Sequence, residues 1–461
     1  MFTLKRLTLI TWFALSGCAS LAPVYQRPAL PVPQQFTLSR NPLVPAAAGY
    51  QDTGWRRFFA DEQLNRVIGL ALQNNRDLRM AALKVQEARA QYGITDADRY
   101  PQLNASSEIS YDGQWNNDSA SRREYQAGFS LAFELDFFGR LKNMSDADRQ
   151  NFFASHEARR AVQILLVSSV SQQYFNQRLI EAQLDIARET QRNYQRAYGL
   201  VEQQLLTGST NLLALEQARG LIESIRADIA KRQGELAQAN NALQLLVGSY
   251  RPLPDNRSAS PDDRLAVKLP PGLSSDILLQ RPDIIEAEYL LKAADANIGA
   301  ARAAFFPSIS LTGDVAGRSS QLSSLFDSAS GIWNFTPKLN LPIFSAGKNK
   351  ANLALAEVRQ QQAIVNYEQK IQSAFKQVAD ALALRSSLQR QIDAQQSYLQ
   401  SLQITLQRAS ALYASGSASY IDVLDAERSL FSTRQSLLDL NYARQVNEIN
   451  LFSALGGGWT E

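Results

Sequence analysis

NIGAARAAFFPSISL, residues Asn297 to Leu311, changes character at a single position. Before Pro307 it reads as helix, with Ala293, Ala294, Ala296, Ala300, Ala301, Ala303 and Ala304 interrupted only by Gly299. After it, Ile309 and Leu311 alternate with Ser308, Ser310 and Thr312, the period of a strand. Proline stops the helix and drives the residue before it to extended geometry. AQYGITDADRYPQLNAS does the same at Pro101, so Gly93 and Pro101 lie 206 residues ahead of Gly299 and Pro307. Further glycines recur at a spacing of 208: Gly139 with Gly347, Gly208 with Gly416, Gly248 with Gly456. Helix, strand, turn, strand, long helix and returning helix follow one another in the same order in both halves. The chain is a duplication.

The spacing divides the chain into a first repeat over 61–248, a Pro- and Asp-rich crossover over 249–281 and a second repeat over 282–461. Strands are expected at about 102–113, 124–138, 307–317 and 331–344. No proline falls between Pro101 and Pro252 or after Pro342, so Ser145–Thr207 and Asn352–Ser415 read as helices of roughly 95 Å at 1.5 Å per residue. Ile392, Leu399, Leu402, Leu406, Ala409 and Tyr413 keep a heptad seam, matched by Leu184, Tyr194, Tyr198, Val201 and Leu205.

At the N-terminus, Lys5 and Arg6 precede a short apolar run and then Leu15-Ser16-Gly17-Cys18. Residues 1–17 read as a lipoprotein signal peptide and Cys18, the single cysteine, as the site of covalent lipid. Cleavage removes two cations and lowers the formal charge of +3 to about +1, which excludes nucleic-acid binding by charge. Residues 18–60, with Pro23, Pro28, Pro31, Pro33, Pro42 and Pro45, read as a strap leading from the anchor.

Catalytic chemistry finds no foothold. The one histidine, His156, has no cysteine or triad partner on its helix, and no Gly-rich phosphate loop occurs. No cofactor is expected beyond the lipid, and the chain is not expected to be an enzyme. The strands carry the better signal: Phe129, Leu131, Phe133, Leu135 and Phe137 alternate with polar residues, as do Trp333, Phe335, Leu339, Leu341 and Ile343. Tilted strands of roughly 10 residues cross a bilayer, where every backbone group must be paired. Four strands leave two open edges, so closure requires other copies. Three chains make a twelve-stranded barrel, continued by a tube of helices. Just past Gly416, Asp422 and Asp425 stand three apart on the returning helix and face one way. Their first-repeat counterparts are the uncharged Ala214 and Gln217. Converging acids would raise cation concentration at a narrow mouth, which makes them gate candidates; capping of the helix dipole is the alternative.

Over the whole mature chain the sequence resembles the TolC-like outer membrane factors. The residues carrying this are the lipobox, GAARAAFFPSISL (Gly299 to Leu311), FELDFFGR (Phe133 to Arg140) and ALGGGW (Ala454 to Trp459). YQRP (Tyr25 to Pro28), RLKNMS (Arg140 to Ser145) and AKRQGELAQANNALQLL (Ala230 to Leu246) resemble the members serving copper and silver efflux. The resemblance implies a mainly α protein with a small membrane β-barrel, assembled as a homotrimer. It further implies an exit duct in the outer membrane of Gram-negative bacteria, joined to a periplasmic adaptor and an inner-membrane RND-type transporter. Acidic rings occupy the place of YIDVLDAE (Tyr420 to Glu427) in such channels, although an arginine that some members carry before the acids is replaced near Ala418. Soft ions favour thiolate or thioether ligands, and Met1, Met80, Met144 and Cys18 form no cluster in sequence, so cargo selection is expected upstream. A drug-efflux or secretion duct of the same architecture, and a lipid-anchored scaffold without a pore, are the alternatives.

Overall fold

The corners of the chain are set by glycine. Among the described residues the glycines with positive φ are Gly139, Gly208, Gly248, Gly347, Gly416 and Gly456, at 71° to 84°. They form the three pairs spaced 208 apart. A left-handed residue ends a helix or turns a strand into one, and only glycine enters that conformation without strain. The computed structural model describes residues 20–36, 54–114, 117–250 and 274–457. The signal peptide, Cys18, part of the strap, most of the crossover and Trp459 lie outside the described residues.

Between these corners run helices α1 (Trp55–Phe58), α2 (Glu62–Asn74) and α3 (Arg76–Ala97), strands β1 (Gln102–Gln114) and β2 (Asn117–Leu135), then α4 (Arg140–Leu206) and α5 (Leu212–Val247). The second repeat gives α6 (Pro282–Ala303), β3 (Ser308–Ser319), β4 (Gly331–Asn340), α7 (Lys348–Ala414) and α8 (Tyr420–Ala454). The protein is mainly helical with one small sheet. Helices α4 and α7 have 67 residues each, about 100 Å of rise. The repeat survives even where side chains differ. Asn75, ahead of α3, donates from Nδ2 to the carbonyl of Leu246 at 2.8 Å, and Arg281, ahead of α6, donates to the carbonyl of Ala454 at 2.5 Å.

The sheet is antiparallel throughout, in the order β1-β2-β3-β4, so the two hairpins join through β2 and β3. Two of its strands differ from the spacing-based expectation. The second strand, expected over 124–138, starts at Asn117 and stops at Leu135. Its early part is polar, and ladder hydrogen bonds form regardless of side-chain polarity, as in the pairing of Arg122 with Asp112. Its end is cut by a turn in which the Asp136 carboxylate accepts from the Lys142 amide at 2.7 Å. The strand expected over 331–344 stops at Asn340, ahead of Pro342, and Leu341 and Ile343 fall outside it.

Two compact units divide the chain. One holds the sheet, within Ala82–Ala158 and Asp283–Lys370, with the strap up to Leu30. The other, Pro31–Ala81, Arg159–Pro282 and Ile371–Glu461, has one of its cores where α1 packs on α8. There Phe58 stacks on Phe452 at 3.9 Å between ring centroids, and Trp55, Phe59, Leu64 and Ile68 are fully buried.

Candidate functional site

Residues opposite one another in a sheet share a face, so the register sorts every strand position. One face carries the rows Leu103–Leu131–Gly313–Phe335, Ala105–Phe129–Val315–Trp333, Phe133–Leu311–Pro337 and Leu135–Ile309–Leu339. The other carries Asn104–Ser130–Asp314–Asn334, Ala132–Thr312–Thr336, Glu134–Ser310–Lys338 and Glu108–Gln126–Arg318. Segregation is nearly complete. Among the described residues the apolar face is left largely uncovered: Trp333 is 79% exposed and Leu339 62%. On the polar face Arg318 pairs with Glu124 at 2.9 Å, and Arg140 grips Glu134, Nη2 donating to both carboxylate oxygens and Nε to one of them. Among the described residues, strands β1 and β4 each keep one edge without a partner strand. Such edges are free to pair with another chain.

The second candidate region is the turn between α7 and α8. Gly416 donates to the carbonyl of Tyr413 and Ser417 to that of Leu412, so the last carbonyls of α7 are satisfied by a left-handed cap. Ser419 then opens α8 with a capping box. Its hydroxyl accepts from the Ile421 amide at 3.3 Å, while the Asp422 carboxylate accepts from the Ser419 amide at 3.1 Å. Asp422 is thus a cap, and it remains exposed. Asp425 is also exposed and pairs with Arg428 at 3.5 Å. The first-repeat counterpart of Asp422, Ala214, is buried in the core beneath the turn.

That core contains Tyr194, Val201, Leu221, Ile222, Ile225, Tyr420, Val423 and Leu424. Tyr413 closes it, its hydroxyl donating to Gln204 at 2.6 Å and its ring 5.2 Å from that of Tyr420. Glu427 is set against it, with Oε2 buried and without a hydrogen-bond partner among the described residues. Burial pushes the Glu427 carboxyl above the usual range. Burial, and next the charge of Glu427, push the Tyr194 and Tyr420 hydroxyls up to about 12. Sequence reasoning singled out Asp422 and Asp425 but passed over Glu427 and Arg428. Glu427 was legible: it lies seven after Tyr420 and three after Leu424, on the buried stripe.

A two-faced sheet with two open edges, in a chain with two 67-residue helices, is what a channel subunit requires. The chain belongs to the outer membrane efflux protein family, whose model matches residues 67–249 and 273–457. It is 69% identical over 461 residues to the probable outer membrane lipoprotein SilC of Salmonella typhimurium, covering 100% of both chains. It is 68% identical over 457 residues to the cation efflux system protein CusC of Escherichia coli O157:H7, covering 99% of both. A crystal structure of CusC superposes with a TM-score of 0.89 at 67% identity, over 95% of this chain and 100% of that one.

Proposed function

We propose that three copies of this chain close their sheets, β4 of one on β1 of the next, into a twelve-stranded barrel in the outer membrane. The observation that carries this is the sheet itself: an uncovered apolar face, a charged opposite face and two open edges. In lipid those edges must be paired. The apolar rows then meet lipid and the polar rows line the lumen, continued by a coiled tube of helices. The assembly serves as the passive exit duct of a tripartite pump with a periplasmic adaptor and an inner-membrane RND-type transporter. Lipid on Cys18 holds each N-terminus to the membrane.

The cargo is a metal cation, copper or silver first, as the likeness to a cation efflux protein supports. Met80 and Met144 are the thioethers left in the mature chain, and Met144 Sδ already accepts from Arg140 at 3.6 Å. The duct is therefore permissive, and the choice of ion falls to its partners. At the turn after α7, Asp422 and Asp425 form the acidic mouth, three copies of the pair around the axis.

The barrel is tested by paired substitutions in one strand. Phe335→Arg on the lipid face, midway along β4, should cost about 2–4 kcal/mol, and Thr336→Arg on the lumen face far less. Heat-modifiability gels of the unboiled assembly read both; equal damage would overturn the face assignment. For the mouth, Asp422→Ala with Asp425→Ala should reduce cation preference in planar-bilayer recordings. Unchanged selectivity and conductance would leave these acids with capping alone.

A further inference from the structure

Inside the chain, one seam runs unbroken from the sheet into the helices. β2 and β3 keep a single register, from Tyr125 opposite Ser319 to Leu135 opposite Ile309. Three residues on, Phe138 stacks on Phe306 at 4.6 Å between ring centroids. Beyond them α4 lies along α6. A Cβ on Gly299 would meet Asn143 Nδ2 at 2.6 Å, Ala147 is buried with Ala293 and Ala296, and the Phe153 ring is 5.4 Å from that of Tyr289.

The remaining elements of this unit repeat these four. β4 and α7 follow β2 and α4 at a spacing of 208, and β1 and α3 precede β3 and α6 by 206. The hairpins obey both spacings: Gln102 stands opposite Ala132, and their counterparts Ser308 and Asn340 stand opposite each other. Where the inner seam is buried, its repeat is bare. Ala147 is 3% exposed, and its counterpart Leu355 is 48% exposed. Leu355, Val358 and Val365 on α7, and Leu83, Ala90 and Ile94 on α3, form exposed stripes at heptad spacing. Gly93, the counterpart of Gly299, has nothing within 4 Å of where a Cβ would stand, among the described residues.

Carrying the inner register across gives an outer one. Ser130 is opposite Asp314, so their counterparts Lys338 and Glu108 fall opposite each other. Both are exposed and lie on the polar face. Ala127 is opposite Gly317, so Phe335 meets Tyr111 on the apolar face, two aromatics in place of two small residues. A slip of one residue would turn the apolar side chains to the lumen. A slip of two keeps the faces but sets Lys338 against Ser106 or Ser110, and the charge pair is lost.

We propose that copies of this chain join by repeating the inner seam: β4 and α7 of one copy meet β1 and α3 of the next, with Lys338 paired to Glu108, Phe335 on Tyr111 and Leu355 on Ala90. The inference rests on the ring of copies proposed above and adds which residues meet. One packing mode then serves within a chain and between chains. Small residues suffice where covalent continuity brings the elements together. Charged and larger side chains stand where partner and register must be selected.

Disulfide trapping of the full-length protein in membranes is the test, with the unsubstituted protein as the control for Cys18. Strand residues directly opposite lie about 4.5–5.5 Å apart at Cα, within disulfide reach, and a two-residue offset takes them beyond it. Thr336→Cys with Ser110→Cys should link chains on a boiled gel. Thr336→Cys with Glu108→Cys, or with Asp112→Cys, should do so about tenfold less. Leu355→Cys with Ala90→Cys should link them through the helices. Lys338→Glu and Glu108→Lys should each lower the unboiled oligomer about fivefold, and together restore it. Should a charge variant fail to insert, the cysteine pairs decide. Linkage through an offset pair, or through none while the oligomer persists, overturns the register and leaves the ring standing. Failure of the helical pair alone overturns the α7–α3 half. Absence of any oligomer of the unsubstituted protein on an unboiled gel overturns the ring itself.

Discussion

The two turns at the ends of α4 and α7 have one backbone and two chemistries. Gly208 and Gly416 adopt φ of 72° and 74°, and the residue after each donates back to the carbonyl five positions before it. Beyond the glycine the turns part. Asn211 caps α5 through its own side chain, with Ala214 buried beneath. Ser419 and Asp422 cap α8 reciprocally and leave acids on the outside. Duplication preserved what the backbone needs and left the side chains free to diverge.

The comparison can be broken at its strongest point, the glycines that end the repeats. Gly248 and Gly456 share a left-handed φ, but a Cβ on Gly248 would lie 2.5 Å from the Asn74 carbonyl oxygen, while on Gly456 the nearest atom is Arg281 Cγ at 3.4 Å. Gly248→Ala should cost about 3 kcal/mol and Gly456→Ala about 1 kcal/mol, since only the first adds a backbone clash to the strain. Chemical denaturation in detergent measures both; equal losses would mean the conformational strain alone matters.

A smaller effect sharpens the contrast in capping. Ser419→Ala and Asn211→Ala should each cost about 1 kcal/mol. Hydrogen exchange in the first turn of each helix reads the loss, and restoration of α8 by Asp at position 419 would confirm capping as the cause.

The buried acid should make one turn respond to pH and its twin not. Burial raises the folded-state pKa of Glu427, so its contribution is fully present below the unfolded value of about 4.3 and is lost as pH rises through the folded value. Exchange over residues 420–431, corrected for intrinsic rates, should therefore accelerate with rising pH above that point. Glu427→Gln should flatten the response. The other turn, with exposed Arg219 at the matching place, should show none. A response surviving in Glu427→Gln would assign it to another group.

The smallest change is expected from Arg428→Ala. Its pair with Asp425 is exposed on both sides and is worth about 0.2–1 kcal/mol. Folding should be untouched, and cation preference in bilayer recordings should rise slightly as the acid loses its neighbour.

What could be read along the chain is what local physics controls. The proline at 307 ends α6 and opens β3, the paired glycines turn the backbone, and the proline-free tracts run as 67-residue helices. Strand alternation announced two faces before any pairing was known. It missed the polar start of β2 because side-chain pattern reports burial, whereas pairing is made by backbone. Asp422 and Asp425 could be placed on one side of α8, but their present partners could not. Tertiary structure decided that β2 meets β3 and so joins the repeats into one sheet. It also laid the strap on α6, and buried Glu427 beside Tyr194 on a helix more than two hundred residues away in sequence. These depend on contacts between distant segments, whose energies no single stretch of sequence contains.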